Sequence, residues 1–197
     1  MTDSKKQILR TALKLFLRSS YKEVSLRDIV NEVGLTKGAF YHYYTSKEQL
    51  FQEAVKYFYN NAIITNYNNF PKTSLKEFYS HYLAMLQEPD EFDEIDGDMN
   101  FFVFISEASK KIPDFLVIHN AQRKKEIWAW SEIIETAKRS KEIKTAIPNE
   151  ELASMFLNMS DGISMNRGIS QTEGPEALNE VKRDWNNLYS LLANKKK

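Results

Sequence analysis

Residues 34–51 read GLTKGAFYHYYTSKEQLF, and this stretch decides how the chain is to be read. Gly34 accepts a positive φ at no steric cost and closes the helix before it. Thr36 can cap a short helix running to Tyr43 or Tyr44. Ser46 with Gln49 then forms the capping box of a further helix. Helix, glycine-centred turn and short helix make the helix-turn-helix pattern. Ile29, Val33, Leu35, Phe40 and Tyr43 fall where the helices would share a small core. Removing them leaves Thr36, Lys37, Ala39, Tyr41 and His42 pointing outward, with Gly38 allowing close backbone approach.

Working outward, Ile8, Leu9, Ala12, Leu15 and Phe16 form one apolar stripe on a helix from about Ser4 to Ser19. Ser25 can cap the next helix, with Asp28 in its first turn and Ile29, Val30 and Val33 on its buried side. Phe51, Ala54, Val55 and Phe58 carry the apolar face of the helix after Ser46. The outward set suits double-stranded DNA. A recognition helix puts its N-terminal end into the major groove, where side chains reach base edges. Lys47, Ser25, Arg27 and the free N–H groups at the start of the short helix suit phosphates. Charge agrees. Residues 1–60 hold 10 Lys/Arg against 6 Asp/Glu, and the remainder reverses the balance to give zero overall.

With SLRDIVNEV before it, GLTKGAFYHYYTSKEQLF resembles the TetR-type transcriptional regulators. The specific parts are Gly34, Gly38, Phe40-Tyr41-His42-Tyr43, and Ser46-Lys47-Glu48 with Leu50 and Phe51. Tyr44 stands where Phe is usual, and Val30 where Ala is usual. The resemblance covers residues 4–60 and is only architectural beyond. It implies that Thr36, Lys37, Ala39, Tyr41 and His42 touch DNA, that Tyr43 packs and reaches a phosphate, and that Lys47 contacts the backbone. It also implies a divergent helical C-terminal domain, a homodimer on an inverted-repeat operator, and release by a small effector.

Long stretches at helical period, punctuated by only 6 Gly and 5 Pro, predict an all-α fold of about nine helices. We expect a helix-turn-helix domain over 1–48, a connecting helix over 47–65 and a larger helical domain over 66–197. Its helices are placed at 74–87, 99–111, 114–140, Pro148 to Arg167 and Pro175 to Ala193, with loops at 88–98 and 168–174. Leu178, Val181, Trp185, Leu188 and Leu192 step by 3 and 4, and so do Leu152, Phe156, Met159 and Ile163. Such seams close either the protomer's own core or a twofold interface, and we expect the interface. Tyr82, Met85, Phe101, Phe104, Trp128, Trp130 and Met155 suggest, as a set, a pocket for an apolar or aromatic molecule.

No HExxH, GxSxG, GxGxxG or Walker loop occurs, so an enzyme is not expected. Asp90, Asp93, Asp96 and Asp98 with Gly97 do not match an EF-hand, and no cysteine is present, so neither metal nor cofactor is expected. The spaced apolar residues of the N-terminus and the lack of an 18-residue apolar run predict a cytoplasmic chain with no membrane partner.

Overall fold

The computed structural model describes residues 3–61, 67–87, 101–170 and 175–194; the expected loop at 88–98 and residues 171–174 of the loop expected at 168–174 lie outside them. The described residues form nine helices and no strand: α1 (Asp3–Arg18), α2 (Leu26–Val33), α3 (Lys37–Tyr43), α4 (Lys47–Asn61), α5 (Leu75–Met85), α6 (Phe101–Lys111), α7 (Phe115–Arg139), α8 (Asn149–Ser170) and α9 (Pro175–Leu192). The all-α architecture is as the sequence predicts. α8 runs three residues past the expected stop at Arg167. None of the helices is long and apolar enough to cross a membrane, among the described residues.

Two compact units result: residues 1–64 with 90–117, and residues 65–89 with 118–197. In the first, α1 lies against α2, α4 and α6. It therefore buries more than one stripe: Ile8, Leu9, Ala12, Leu13, Phe16 and Leu17 are all buried, and Leu15 is only half-buried. Phe51 of α4 meets Phe16 edge-on at 5.1 Å, and Phe104 of α6 meets Phe51 and Phe58, each at 5.6 Å. A boundary at residue 66 would assign α6 to the other domain, but these ring contacts seat it beside α1 and α4. Lys5 pairs with Glu53 at 3.1 Å across the α1–α4 contact.

The second unit is built round aromatic rings. Trp130 of α7 stacks on Phe156 of α8 at 5.2 Å and meets Trp185 of α9 at 5.0 Å. Tyr79 and Tyr82 of α5 close the cluster. The Trp185 indole N–H donates to the Phe156 carbonyl at 2.8 Å, so its polar edge is satisfied in the core. Glu142, just beyond α7, accepts from Ser74 Oγ, Leu75 N and Lys76 N at 2.9–3.1 Å and so caps α5. Tyr189 of α9 donates to the same carboxylate at 3.1 Å. A short bridge joins Ile143 to Ala193, with Lys144 N donating to Leu192 O at 2.8 Å.

This packing corrects part of the expected interface. Leu152, Phe156, Val181, Trp185 and Leu192 are buried in the protomer, because the α8 and α9 seams close on each other and on Tyr79 and Trp130. Met159, Ile163, Leu178 and Leu188 are half-exposed. The expected pocket set is also dispersed. Phe104 belongs to the first unit's core and Trp130 to the second's, while Trp128 is 67% exposed and Met155 is exposed. Trp128 and Trp130, two residues apart, point about 200° from each other round α7, and only one can face inward. The Phe101 side chain lies outside the described residues.

Candidate nucleic-acid interface

Local chemistry places α2 and α3. Ser25, extended at φ −89° and ψ 161°, forms a capping box with Asp28. Asp28 N donates to Ser25 Oγ at 3.2 Å, and Ser25 N donates to Asp28 Oδ2 at 2.7 Å. Hydrogen bonding from the Ser25 side chain, then from its backbone N–H, holds the Asp28 carboxyl below its ordinary pKa. At the other end Gly34 adopts φ 74°, a left-handed conformation that would strain any residue with a Cβ. Its N–H reaches Asn31 O, and Leu35 N reaches Val30 O, closing α2. Two residues later Thr36 Oγ1 accepts from Ala39 N at 3.2 Å and opens α3.

Phe40 and Tyr44 are the buried side chains of this second element. Tyr43, expected on the inner face, is only half-buried; the buried pair is instead Phe40 and Tyr44, one helical turn apart, whose rings meet at 5.8 Å. The Tyr44 hydroxyl, extra relative to a Phe, donates to Lys5 O at 3.3 Å. Burial pushes its pKa up, so it remains a neutral donor. On α2, Ile29 and Val30 are buried, while Val33 is half-buried.

The outward set is gathered on one side of two caps. Ser25, Arg27, Thr36, Lys37, Gly38 and His42 are exposed, Ala39 is half-exposed, and Tyr41 is 51% exposed. His42 and Tyr43 meet edge to face at 5.0 Å. At Gly38 a Cβ would meet only Thr36 Oγ1, at 3.9 Å. Nothing within the described chain therefore requires glycine there.

Lys47 is placed differently from the sequence reading. Its ammonium donates to the carbonyls of Tyr21 and Val24, at 2.7 and 2.8 Å, and lies 4.0 Å from the Tyr21 ring centroid. One of three N–H directions remains for a phosphate. Burial, then the neighbouring Lys111, lowers its pKa. Lys111 lies 4.2 Å from the same ring, and Tyr21 N donates to Glu107. Tyr21, Glu107 and Lys111 are residues that sequence reading missed. Glu107 and Lys111 lie 86 and 90 positions from Tyr21, so no local signal marks them. Of the expected capping box at α4, half forms. Gln49 N donates to Ser46 Oγ at 3.0 Å, but the Gln49 amide oxygen accepts from Thr45 instead.

A capped helix, a left-handed glycine and a second capped helix with a polar outer face define a helix-turn-helix domain. The helix-turn-helix part of the chain, residues 8–54, matches the sequence model of the bacterial regulatory proteins, tetR family. The chain is 28% identical over 120 residues to YuxN, an HTH-type transcriptional regulator of Bacillus subtilis, covering 57% of this chain and 41% of that one. It is 28% identical over 89 residues to IcaR of Staphylococcus aureus, an HTH-type negative transcriptional regulator of the biofilm operon icaADBC, covering 43% of this chain and 48% of that one. The chain thus spans less than half the length of these curated relatives. In fold it is similar to a transcriptional regulator from Saccharomonospora viridis in complex with choline, with a TM-score of 0.78 at 16% identity over 99% of this chain and 100% of the other.

Proposed function

We propose that the chain is a sequence-specific repressor of transcription that binds double-stranded DNA as a homodimer on an inverted repeat, in the cytoplasm. The observation that carries this reading is the outward face of α3 beside the Ser25 cap: polar, aromatic and small side chains held by caps at fixed positions and left exposed or half-exposed among the described residues. Thr36, Lys37, Gly38, Ala39, Tyr41 and His42 reach base edges in the major groove. Ser25, Arg27, Tyr43 and Lys47 hold phosphates and fix the register. The negative regulation named for IcaR favours repression over activation.

The twofold contact runs through the outer side of α8 and α9, where Met155, Met159, Ile163, Leu188 and Leu191 keep apolar surface in the monomer. A small effector with an apolar or aromatic part binds in the second unit, near Tyr82, Met85 and Trp130, and lowers operator affinity by preferring the released state. The choline held by the structural relative supports a small-molecule site in this fold. Tyr67 donates to Glu126 at 3.3 Å, and Arg123 pairs with Glu126 and Asp161. Burial, then the Glu126 charge, raises the pKa of Tyr82. These groups favour an effector that adds a polar or cationic group to its apolar part.

Selection from a random duplex library at near-physiological salt tests the reading. Enrichment of an inverted repeat is the expected result, with affinity falling steeply as salt rises. Purely salt-sensitive bulk binding without enrichment would remove sequence specificity from the reading, and no binding would overturn it.

A further inference from the structure

Between α2 and α3 lies an open crevice of about 250 Å³ lined by Leu26, Arg27, Val30 and Lys37. Its make-up is unusual for a surface meant for phosphates alone. Leu26 is half-exposed and the 8%-exposed Val30 lies beneath, giving an aliphatic floor. Arg27 and Lys37, both exposed, complete the lining. Each is fixed by position: Leu26 and Arg27 follow the Ser25 cap directly, and Lys37 follows the Thr36 cap. Lys37 belongs both to this crevice and to the outward set of α3.

The chemistry that complements an aliphatic floor beside two cations is an apolar group flanked by anions. Duplex DNA offers one in its major groove, the thymine C5-methyl, with phosphates on both sides. We infer that the Leu26–Val30 floor receives a thymine methyl, making Leu26 a specificity-determining residue while Arg27 and Lys37 bind the flanking phosphates or a neighbouring guanine edge. The inference rests on the DNA-binding reading above. The Val at position 30 matters here: its branched side chain extends the floor beyond what an Ala would give.

The test replaces each thymine of the selected operator, one at a time, by deoxyuridine, which removes the methyl and nothing else. Wild-type protein should lose about four-fold in affinity at one thymine per half-site, the value of one buried carbon. Leu26→Ala should bind thymine and uracil versions of that site equally, while its affinity still falls with salt. Should Leu26→Ala fail to fold, Leu26→Val, which only shortens the floor, should still weaken the methyl preference at that thymine, and an unchanged preference there would overturn the inference. A uniform response across all thymines, or a methyl preference unchanged in folded Leu26→Ala, would overturn the inference and leave the DNA-binding reading standing. Failure to bind any duplex would overturn both.

Discussion

The N-termini of α2 and α5 meet the same need by opposite means. Each helix starts with unpaired N–H groups that want an acceptor. At α2 the acceptors come from Ser25 and Asp28, three residues apart. At α5 Ser74 accepts from Glu77 N, but the larger part comes from Glu142, whose carboxylate reaches Leu75 and Lys76 from 67 and 66 residues away. The first arrangement forms wherever α2 forms. The second exists only when α7 and α5 have already met. The α2–α3 element is accordingly held by its own sequence, and the second unit by contacts that appear together.

The contrast predicts where mutations will be felt. All three tryptophans, 128, 130 and 185, lie in the second unit, so their fluorescence reports that unit alone. The largest effect should come from Trp185→Ala, which empties the centre of the ring cluster. We expect a loss of about 4 kcal/mol in urea unfolding followed at the remaining tryptophans. Glu142→Ala should cost about 3 kcal/mol by the same readout, since it strips charge-assisted bonds from two helices at once. A loss under about 1 kcal/mol would mean that Ser74 caps α5 unaided, and the contrast would fail. Ser25→Ala should cost about 1 kcal/mol, seen as faster amide exchange confined to α2, with the tryptophan signal unmoved.

Acid sharpens the same contrast, with opposite signs. Asp28 has a folded pKa below its ordinary 3.8, so its contribution is complete above that value and is lost as pH falls through the folded pKa. Glu126 is pushed above its ordinary 4.5 by burial, so its contribution is complete below 4.5 and is lost as pH rises through the raised value. Between pH 7 and 4, Glu126→Gln should flatten a rise in second-unit stability that wild type shows, while exchange in α2 stays level until lower pH. If wild-type fluorescence melts show no such rise, Glu126 is not the group that matters. The smallest effect should be a gain. Lys141 sits at φ 61°, so Lys141→Gly should stabilise the second unit by about 1 kcal/mol in the same melts.

The difference between the two helix starts also explains what could be read from the chain beforehand. Ser25, Gly34 and Thr36 announce α2 and α3 because each acts on residues within three or four positions, and the outward set follows from where the caps put it. Lys47 was legible as a cation at a helix start. Its two carbonyl partners were not, because Tyr21 and Val24 lie across a fold contact 26 and 23 residues away. The α8 and α9 seams were legible as apolar lines. Spacing alone cannot say whether such a line faces its own core or a second copy, and Trp130 and Tyr79 supplied the answer by filling the space. The aromatic set failed as one pocket for a related reason: Phe104 and Trp130 share a residue class but belong to different units.

Lys47 carries one more consequence. A lysine on an open surface samples many rotamers, and seizing one of them for a ligand costs about 1.5–2 kcal/mol in lost freedom. Here two carbonyls and a ring hold the side chain before any ligand arrives, with Lys111 across the same ring and Glu107 holding the backbone beneath it. The ordering is part of the folding of the first unit and not of the encounter. What is left of the ammonium is a single hydrogen with a set direction, which gives this corner a fixed axis where an ordinary lysine would offer a cone.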